Sequence, residues 1–151
     1  MRAIDETRKP LVTIGAAATI EAAAISMHDA RVGALVVMDG NKPVGIVTDR
    51  DIVVRGVRTA IPADARIDAV MTAGVVAFDA DGRLHDAISV LRAQAFRRLP
   101  LVRNGKLVAL LSTDDILIDL ARQLIDVVHP ITGQMLYAEP ERDLRPVPSS
   151  T

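Results

Sequence analysis

The chain alternates between two hydrophobic periods. Residues 11–14 (LVTI) alternate weakly and are rich in β-branched side chains, which predicts a short strand. Thr19 then precedes an Ala-rich amphipathic stretch ending near Ala30, a helix with Thr19 as N-cap. Residues 35–38 are uniformly apolar and predict a buried strand. Asp39-Gly40-Asn41-Lys42 is hairpin chemistry, because Gly and Asn tolerate positive φ, and residues 44–47 return as the second strand. A helix opens at Thr48 and is predicted to stop near Gly56, whose missing Cβ suits a helix end. The same order then recurs: strand 75–78, helix 81–95, strand 99–102, turn Asn104-Gly105, strand 107–111 and a helix opening at Ser112. ALVVMDGNKPVGIVTDRDI from Ala34 aligns with RLPLVRNGKLVALLSTDDI from Arg98, and EAAAISM from Glu21 with HDAISV from His85, at an offset of about 63–65 residues. That period is too long for a many-unit solenoid. It predicts an α+β fold of two β-α-β-β-α repeats, residues 9–64 and 65–127, sharing one core, with a tail over 128–151.

The last helix, predicted from Ser112 to about Val128, is apolar around most of its circumference. Ile116, Leu120, Leu124 and Val127 form one stripe, widened by Leu117, Ile118, Ala121, Ile125 and Val128. A surface helix of a monomer usually shows an apolar arc of about 100°. The excess predicts a homodimer, the alternative being that the tail folds back over it. The tail, HPITGQMLYAEPERDLRPVPSST, carries four prolines and little periodicity. It is expected to be ordered in part, over 129–137, and loose beyond, with a partner-binding peptide as a second possibility.

Composition narrows the chemistry. The chain has 151 residues and no cysteine, which removes disulfides, thiolate nucleophiles and Cys-type zinc sites. Its net charge of −1 supplies no overall positive field for nucleic acid. Phe78, Phe96 and Tyr137 are the only aromatics, too few to stack a series of bases. No apolar run approaches the roughly 20 residues of a membrane span, and MRAIDETRKP lacks a signal-peptide core. The expectation is a cytoplasmic protein that binds neither nucleic acid nor membrane.

Candidate chemistry sits at the two strand-to-helix junctions, Thr48-Asp49-Arg50-Asp51 and Ser112-Thr113-Asp114-Asp115. A hydroxyl followed three residues later by a carboxylate reads first as a capping box. Two such boxes at matching places in a repeat also build the same concave mouth twice. There, first-turn amides favour an anion, a hydroxyl donates to phosphate or ribose, and a carboxylate accepts from a cis-diol. The junctions differ in charge. Arg50 lies within the first and Arg55 and Arg58 follow it, whereas Asp114 adds a negative charge to the second; Arg97 and Arg98 are placed to compensate, and Arg98 could serve either mouth. For every arginine the alternative is a surface ion pair of roughly 0–1 kcal/mol.

GIVTDRDIVVRGV, with the repeat and the turn-strand context, resembles a pair of CBS domains, the tandem unit named after cystathionine β-synthase and called a Bateman module. The resemblance covers about residues 9–127 and is nearest to small stand-alone bacterial CBS pairs. It implies two repeats packed sheet to sheet about a pseudo-twofold axis, with two clefts for adenine-containing ligands such as AMP, ADP, ATP or S-adenosylmethionine. It further implies Thr48 and Ser112 near phosphate or ribose, Asp51 and Asp115 on ribose hydroxyls, and dimerisation through helices. With so few aromatics, adenine is expected between aliphatic side chains, for which Ile14, Leu35, Val76 and Leu99 are candidates, each also explicable as core. Phosphate-loop, dinucleotide and nucleophile-elbow motifs are missing, and His28, His85 and His129 lack metal-ligand spacing. The expectation is therefore a non-catalytic nucleotide sensor without metal or resident cofactor, signalling to an effector protein. The alternatives are a ligand-free interaction module of the same fold and a small nucleotide-processing enzyme.

Overall fold

The apolar runs form the strands and the amphipathic runs the helices of a computed structural model, which describes residues 1–93 and 97–137, with side chains through His129. Met1–Leu117 make one compact unit, and the chain from Ile118 onward makes another. The first unit holds two sheets. In one, the order is β1 (Thr13–Gly15), β2 (Ala34–Asp39), β3 (Lys42–Thr48) and β4 (Thr72–Ala73); in the other it is β5 (Phe78–Asp79), β6 (Arg98–Arg103) and β7 (Lys106–Ser112). β1 runs parallel to β2, and β5 to β6; each is followed by an antiparallel hairpin, β2–β3 and β6–β7. Corresponding strands start 64 positions apart, Ala34 and Arg98, Lys42 and Lys106. Even the irregularity in each hairpin recurs, between Val37 and Met38 and between Leu101 and Val102.

Both hairpins close through two residues. Gly40 adopts φ +58°, while in the second turn Asn104 and Gly105 both have positive φ, 51° and 73°, so the required left-handed backbone is supplied differently in each repeat. Helix α1 (Ile20–Ala30) starts as expected, with Thr19 Oγ1 accepting from the Ala22 amide at 3.1 Å. After β3, a single turn α2 (Asp49–Asp51) widens into a π-helix (Ile52–Gly56) and tightens into a 3-10 turn (Val57–Thr59). Helices α3 (Leu84–Ala93) and α4 (Thr113–Tyr137) complete the order.

Several boundaries differ from the expectation, each for a local reason. The helix does not stop at Gly56: Gly56 is buried near Val70 and Ile20, and Ala60, at φ 58°, supplies the left-handed cap. The strand expected over 75–78 pairs only at Phe78–Asp79, and residues 74–77 form a link outside the strands that begins with Gly74 at φ +74°. The turn at 81–83 precedes α3 because the Asp81 side chain is taken by Arg103 and Arg2; the expected end at Ala95 lies outside the described residues. α4 runs past Pro130 to Tyr137, since proline's fixed φ of about −65° is helical and one missing amide does not end a long helix. The expected loose tail over 138–151 also lies outside the described residues.

The repeats do not share a core. One cluster is built from Ile20, Ala23, Met27, Leu35, Val37, Val47, Ile67 and Val70. The other takes Ala87, Leu91, Leu99, Leu101, Ala109, Leu111 and Ile116, together with Ala3 from the N-terminal turn (Ala3–Glu6). Alternation explains the division. Leu35, Val37 and Val47 face the first repeat's helices, while Val36 and Ile46 project from the other side of the same strands, where β3 lies against β7. The two repeats thus meet sheet to sheet.

Candidate functional site

The face of β3 that turns away from the first core ends in Ile46 and Thr48, and there the chain enters α2. Both halves of the capping box form: the Thr48 amide donates to Asp51 Oδ2 at 2.9 Å, and the Asp51 amide donates to Thr48 Oγ1 at 3.1 Å. Thr48 Oγ1 only accepts here, so its own hydrogen has no acceptor among the described residues. At the equivalent place the Asp115 amide donates to Ser112 Oγ at 3.1 Å and the Ser112 amide to Asp115 Oδ2 at 3.3 Å. One further bond separates the two sites: Ser112 Oγ donates to Asp115 Oδ2 at 2.6 Å. The second hydroxyl is thereby consumed inside its own box. Asp115 is 2% exposed, whereas the Asp51 side chain keeps 18%.

Space follows the same division. Thr48, Asp49, Arg50 and Asp51 open onto a cleft of about 350 Å³, which Ile46, Thr72, Val75, Arg97 and Arg98 complete. That falls in the range of small-molecule sites. The Ser112 and Asp115 junction faces only about 30 Å³, bounded by Lys9, Pro10, Val32, Gly33, Ala34, Arg98 and Leu110. Such a space holds about two waters. Arg98 borders both clefts. Among the described residues no carboxylate pairs with Arg50, Arg97 or Arg98, so three guanidinium groups stand in the larger cleft against Asp49 and Asp51. Arg55 and Arg58 do not line the cleft: Arg55 Nη1 donates to the Val70 and Met71 carbonyls and to Thr72 Oγ1 while its Nε pairs with Asp51 Oδ1 at 3.8 Å, and Arg58 Nε donates to the Val54 carbonyl at 3.1 Å. Asp114 is exposed and borders neither cleft.

Of the residues singled out from sequence, Thr48, Arg50, Asp51, Arg97 and Arg98 come together in the larger cleft, and Ser112, Asp115 and Arg98 in the smaller. The four aliphatic candidates do not join them. Leu35 and Leu99 are buried in the first and second cores, Ile14 packs on the first, and Val76 stands 40% exposed in the link after β4. For the strand residues the reason is parity, since a shift of one position along a strand exchanges the two faces. Ile46, two residues before Thr48, carries that signal in the sequence. Thr72 and Val75 give none, because β4 is only two residues long. Among the described residues no group of three His, Asp or Glu side chains could hold a metal ion.

Comparison with known proteins agrees with this architecture. The sequence pattern of the CBS domain matches residues 2–57 and again residues 67–122. The chain belongs to the CBS-domain family. It is 36% identical to YlbB of Bacillus subtilis over 96 residues, 62% of this chain and 65% of that one. It is also 39% identical to a 17.7 kDa protein of Acidianus ambivalens over 111 residues, 72% of this chain and 64% of that one. The chain therefore spans just under two thirds of these relatives. Among solved structures, the CBS-domain protein PAE2072 from Pyrobaculum aerophilum, complexed with AMP, is 27% identical with a TM-score of 0.68, covering 81% of this chain and 99% of its own. The first family match begins at residue 2, although Ala3 packs in the second CBS repeat's core.

Proposed function

We propose that this CBS pair is a non-catalytic regulatory module that binds an adenine nucleotide in the Thr48 cleft and passes the signal to an effector protein. The larger cleft carries the reading: a space of about 350 Å³ with three guanidinium groups that no carboxylate pairs among the described residues, a Thr48 hydroxyl hydrogen without an acceptor among them, and the part-exposed Asp51 carboxylate. Those groups suit phosphate, ribose and, between Ile46 and Val75, an aliphatic seat for a base. The likeness to a CBS protein solved with AMP supports adenylate as the ligand class. The Ser112 cleft, with only about 30 Å³ of space, takes no nucleotide in this conformation. Control of a partner requires that ligand favour one arrangement of the module over another.

A thermal-shift panel of AMP, ADP, ATP, S-adenosylmethionine and NADH tests the reading. A true ligand at about 100 times its Kd adds ~2.7 kcal/mol of apparent stability. Asp51→Ala is expected to abolish the shift and Asp115→Ala to retain most of it, each measured from its own baseline. If no adenylate raises the midpoint, the nucleotide reading falls. The second reading then stands, in which both boxes act purely as caps; their complete hydrogen bonding is the observation that favours it.

The module acts as a homodimer in this reading. Leu117, Leu120, Leu124, Ile125 and Val127 of α4 are each at least half exposed. Such a continuous apolar face needs a covering surface. Sedimentation equilibrium is expected to return twice the chain mass, and a monomer at micromolar concentration overturns it.

A further inference from the structure

Arg55 stands outside the larger cleft yet grips two of its walls. Its Nη1 donates to the carbonyls of Val70 and Met71 and to Thr72 Oγ1, each at 3.2 Å, and its Nε lies 3.8 Å from Asp51 Oδ1. Asp51 and Thr72 both border the cleft and come from different elements, α2 and β4. The other Asp51 oxygen, Oδ2, already accepts from the Thr48 amide, so Oδ1 is the atom left to meet a ligand. The Arg55 guanidinium is the ion-pair partner of that same oxygen. A planar fork with donors pointing two ways can hold a carboxylate and a strand end in fixed relation, which a single ammonium cannot. The second repeat places a different residue there: 64 positions on stands Asp119, which accepts from Gln123 of its own helix.

We propose that Arg55 is a positioning residue that aims Asp51 Oδ1 into the cleft beside Thr72 and so makes the site select ligands with an intact ribose diol. This rests on the nucleotide reading of the Thr48 cleft and adds a selectivity to it. An arginine that only supported the fold would affect all ligands alike. One acting through Asp51 affects only those whose hydroxyl Asp51 receives.

Calorimetric titration of the full chain with AMP and with 2′-deoxy-AMP separates the two. Losing a hydrogen bond to a charged acceptor corresponds to about tenfold or more in affinity, so wild type is expected to prefer AMP by about tenfold. Arg55→Gln is expected to bring the preference within about twofold by weakening AMP while leaving 2′-deoxy-AMP nearly unchanged. Arg58→Gln, on the following turn and bonded among the described residues only to the Val54 carbonyl, is expected to keep the full preference. Equal weakening of both nucleotides in Arg55→Gln, or an unchanged preference, overturns the proposal while leaving the nucleotide reading intact. Arg55→Lys retains the charge and the stem but loses the fork. It decides the matter if the Gln variant does not fold, and a full preference in Arg55→Lys overturns the proposal. Wild type binding both nucleotides equally overturns it as well. Wild type binding neither overturns the nucleotide reading itself.

Discussion

At the scale of single residues, Asp51 and Asp115 show how one motif yields two environments. Each carboxylate accepts from the amide of the residue three positions before it, but Asp115 is enclosed and accepts from both the Ser112 amide and the Ser112 hydroxyl, while Asp51 is part-exposed and accepts from the Thr48 amide alone through Oδ2. Asp115→Ala leaves a buried hydroxyl and an amide without their acceptor, at about 1–3 kcal/mol for each such group. Asp51→Ala removes a part-exposed cap partner, a loss of about 1 kcal/mol. Denaturant unfolding of the two variants is therefore expected to show the larger loss for Asp115→Ala, the reverse of their order in ligand binding. Equal losses would mean that burial does not distinguish the boxes. The Ser/Thr-x-x-Asp spacing made both residues legible in the sequence, because a cap is a local pattern. Which hydroxyl stays free was not legible. It depends on whether Thr48 or Ser112 finds an acceptor at its own helix mouth, which side-chain placement decides and residue spacing does not.

Elements were legible in proportion to their length and periodicity. β2, β3, β6, β7 and α1 stand within a residue or two of their expected ends, since each combines an apolar run with a turn or cap signal. β4 escaped notice because two residues carry no period, yet it places Thr72 in the cleft. Its place depends on Gly45. A Cβ at that position would stand 2.7 Å from Met71 Sδ and 2.9 Å from the Thr72 carbonyl oxygen, and Gly45 pairs with Ala73 in the β3–β4 ladder. The sulfur can swing away, but the carbonyl belongs to the paired strand and cannot. Gly45→Ala is expected to destabilise the chain by about 1–3 kcal/mol through this overpacking. It should also weaken AMP, because β4 and Thr72 move with it. Gly15→Ala provides the contrast, since nothing lies within 4 Å of the added atom and no comparable loss is expected. Parallel measurements of melting midpoint and AMP affinity check both variants. A Gly45→Ala protein of wild-type stability would show that β4 can leave β3 without consequence.

At the scale of the molecule, two separate cores replace the single shared core inferred from the repeat, and the N-terminus ties itself to the second of them. Ala3 donates its amide to the Gly82 carbonyl at 2.9 Å, Ile4 to that of Ala80 at 3.1 Å, and Ala3 is fully buried among second-repeat side chains. Nothing in MRAIDETRKP signals this, because Met1, Ala3 and Ile4 in a charged run have no period. Around that seam Asp81 accepts from Arg103 through both oxygens at 2.7 Å and meets Arg2 at 3.3 Å, while Arg2 also pairs with Asp5 at 2.9 Å. Hydrogen bonding from Arg103, and then the nearby positive charges, hold the Asp81 carboxyl below its ordinary value of 3.8; the Arg2 hydrogen bonds do the same for Asp5. A carboxyl depressed in the folded state stabilises it fully above the unfolded-state pKa, and that contribution disappears as the pH falls through the lower folded-state value. Asp81→Asn removes the Asp81 part. Its melting midpoint is expected to lie below wild type by a constant margin from pH 7 to about pH 5. The margin should begin to close near 3.8 and vanish once the pH lies beneath the depressed value. Because these groups are exposed, about 1 M salt should shrink the margin at neutral pH as well. A margin that persisted unchanged in acid would assign the effect of the substitution to the turn at 81–83, where the Asp81 amide is held by Asp79 Oδ1 at 2.9 Å, and not to the ion pairs.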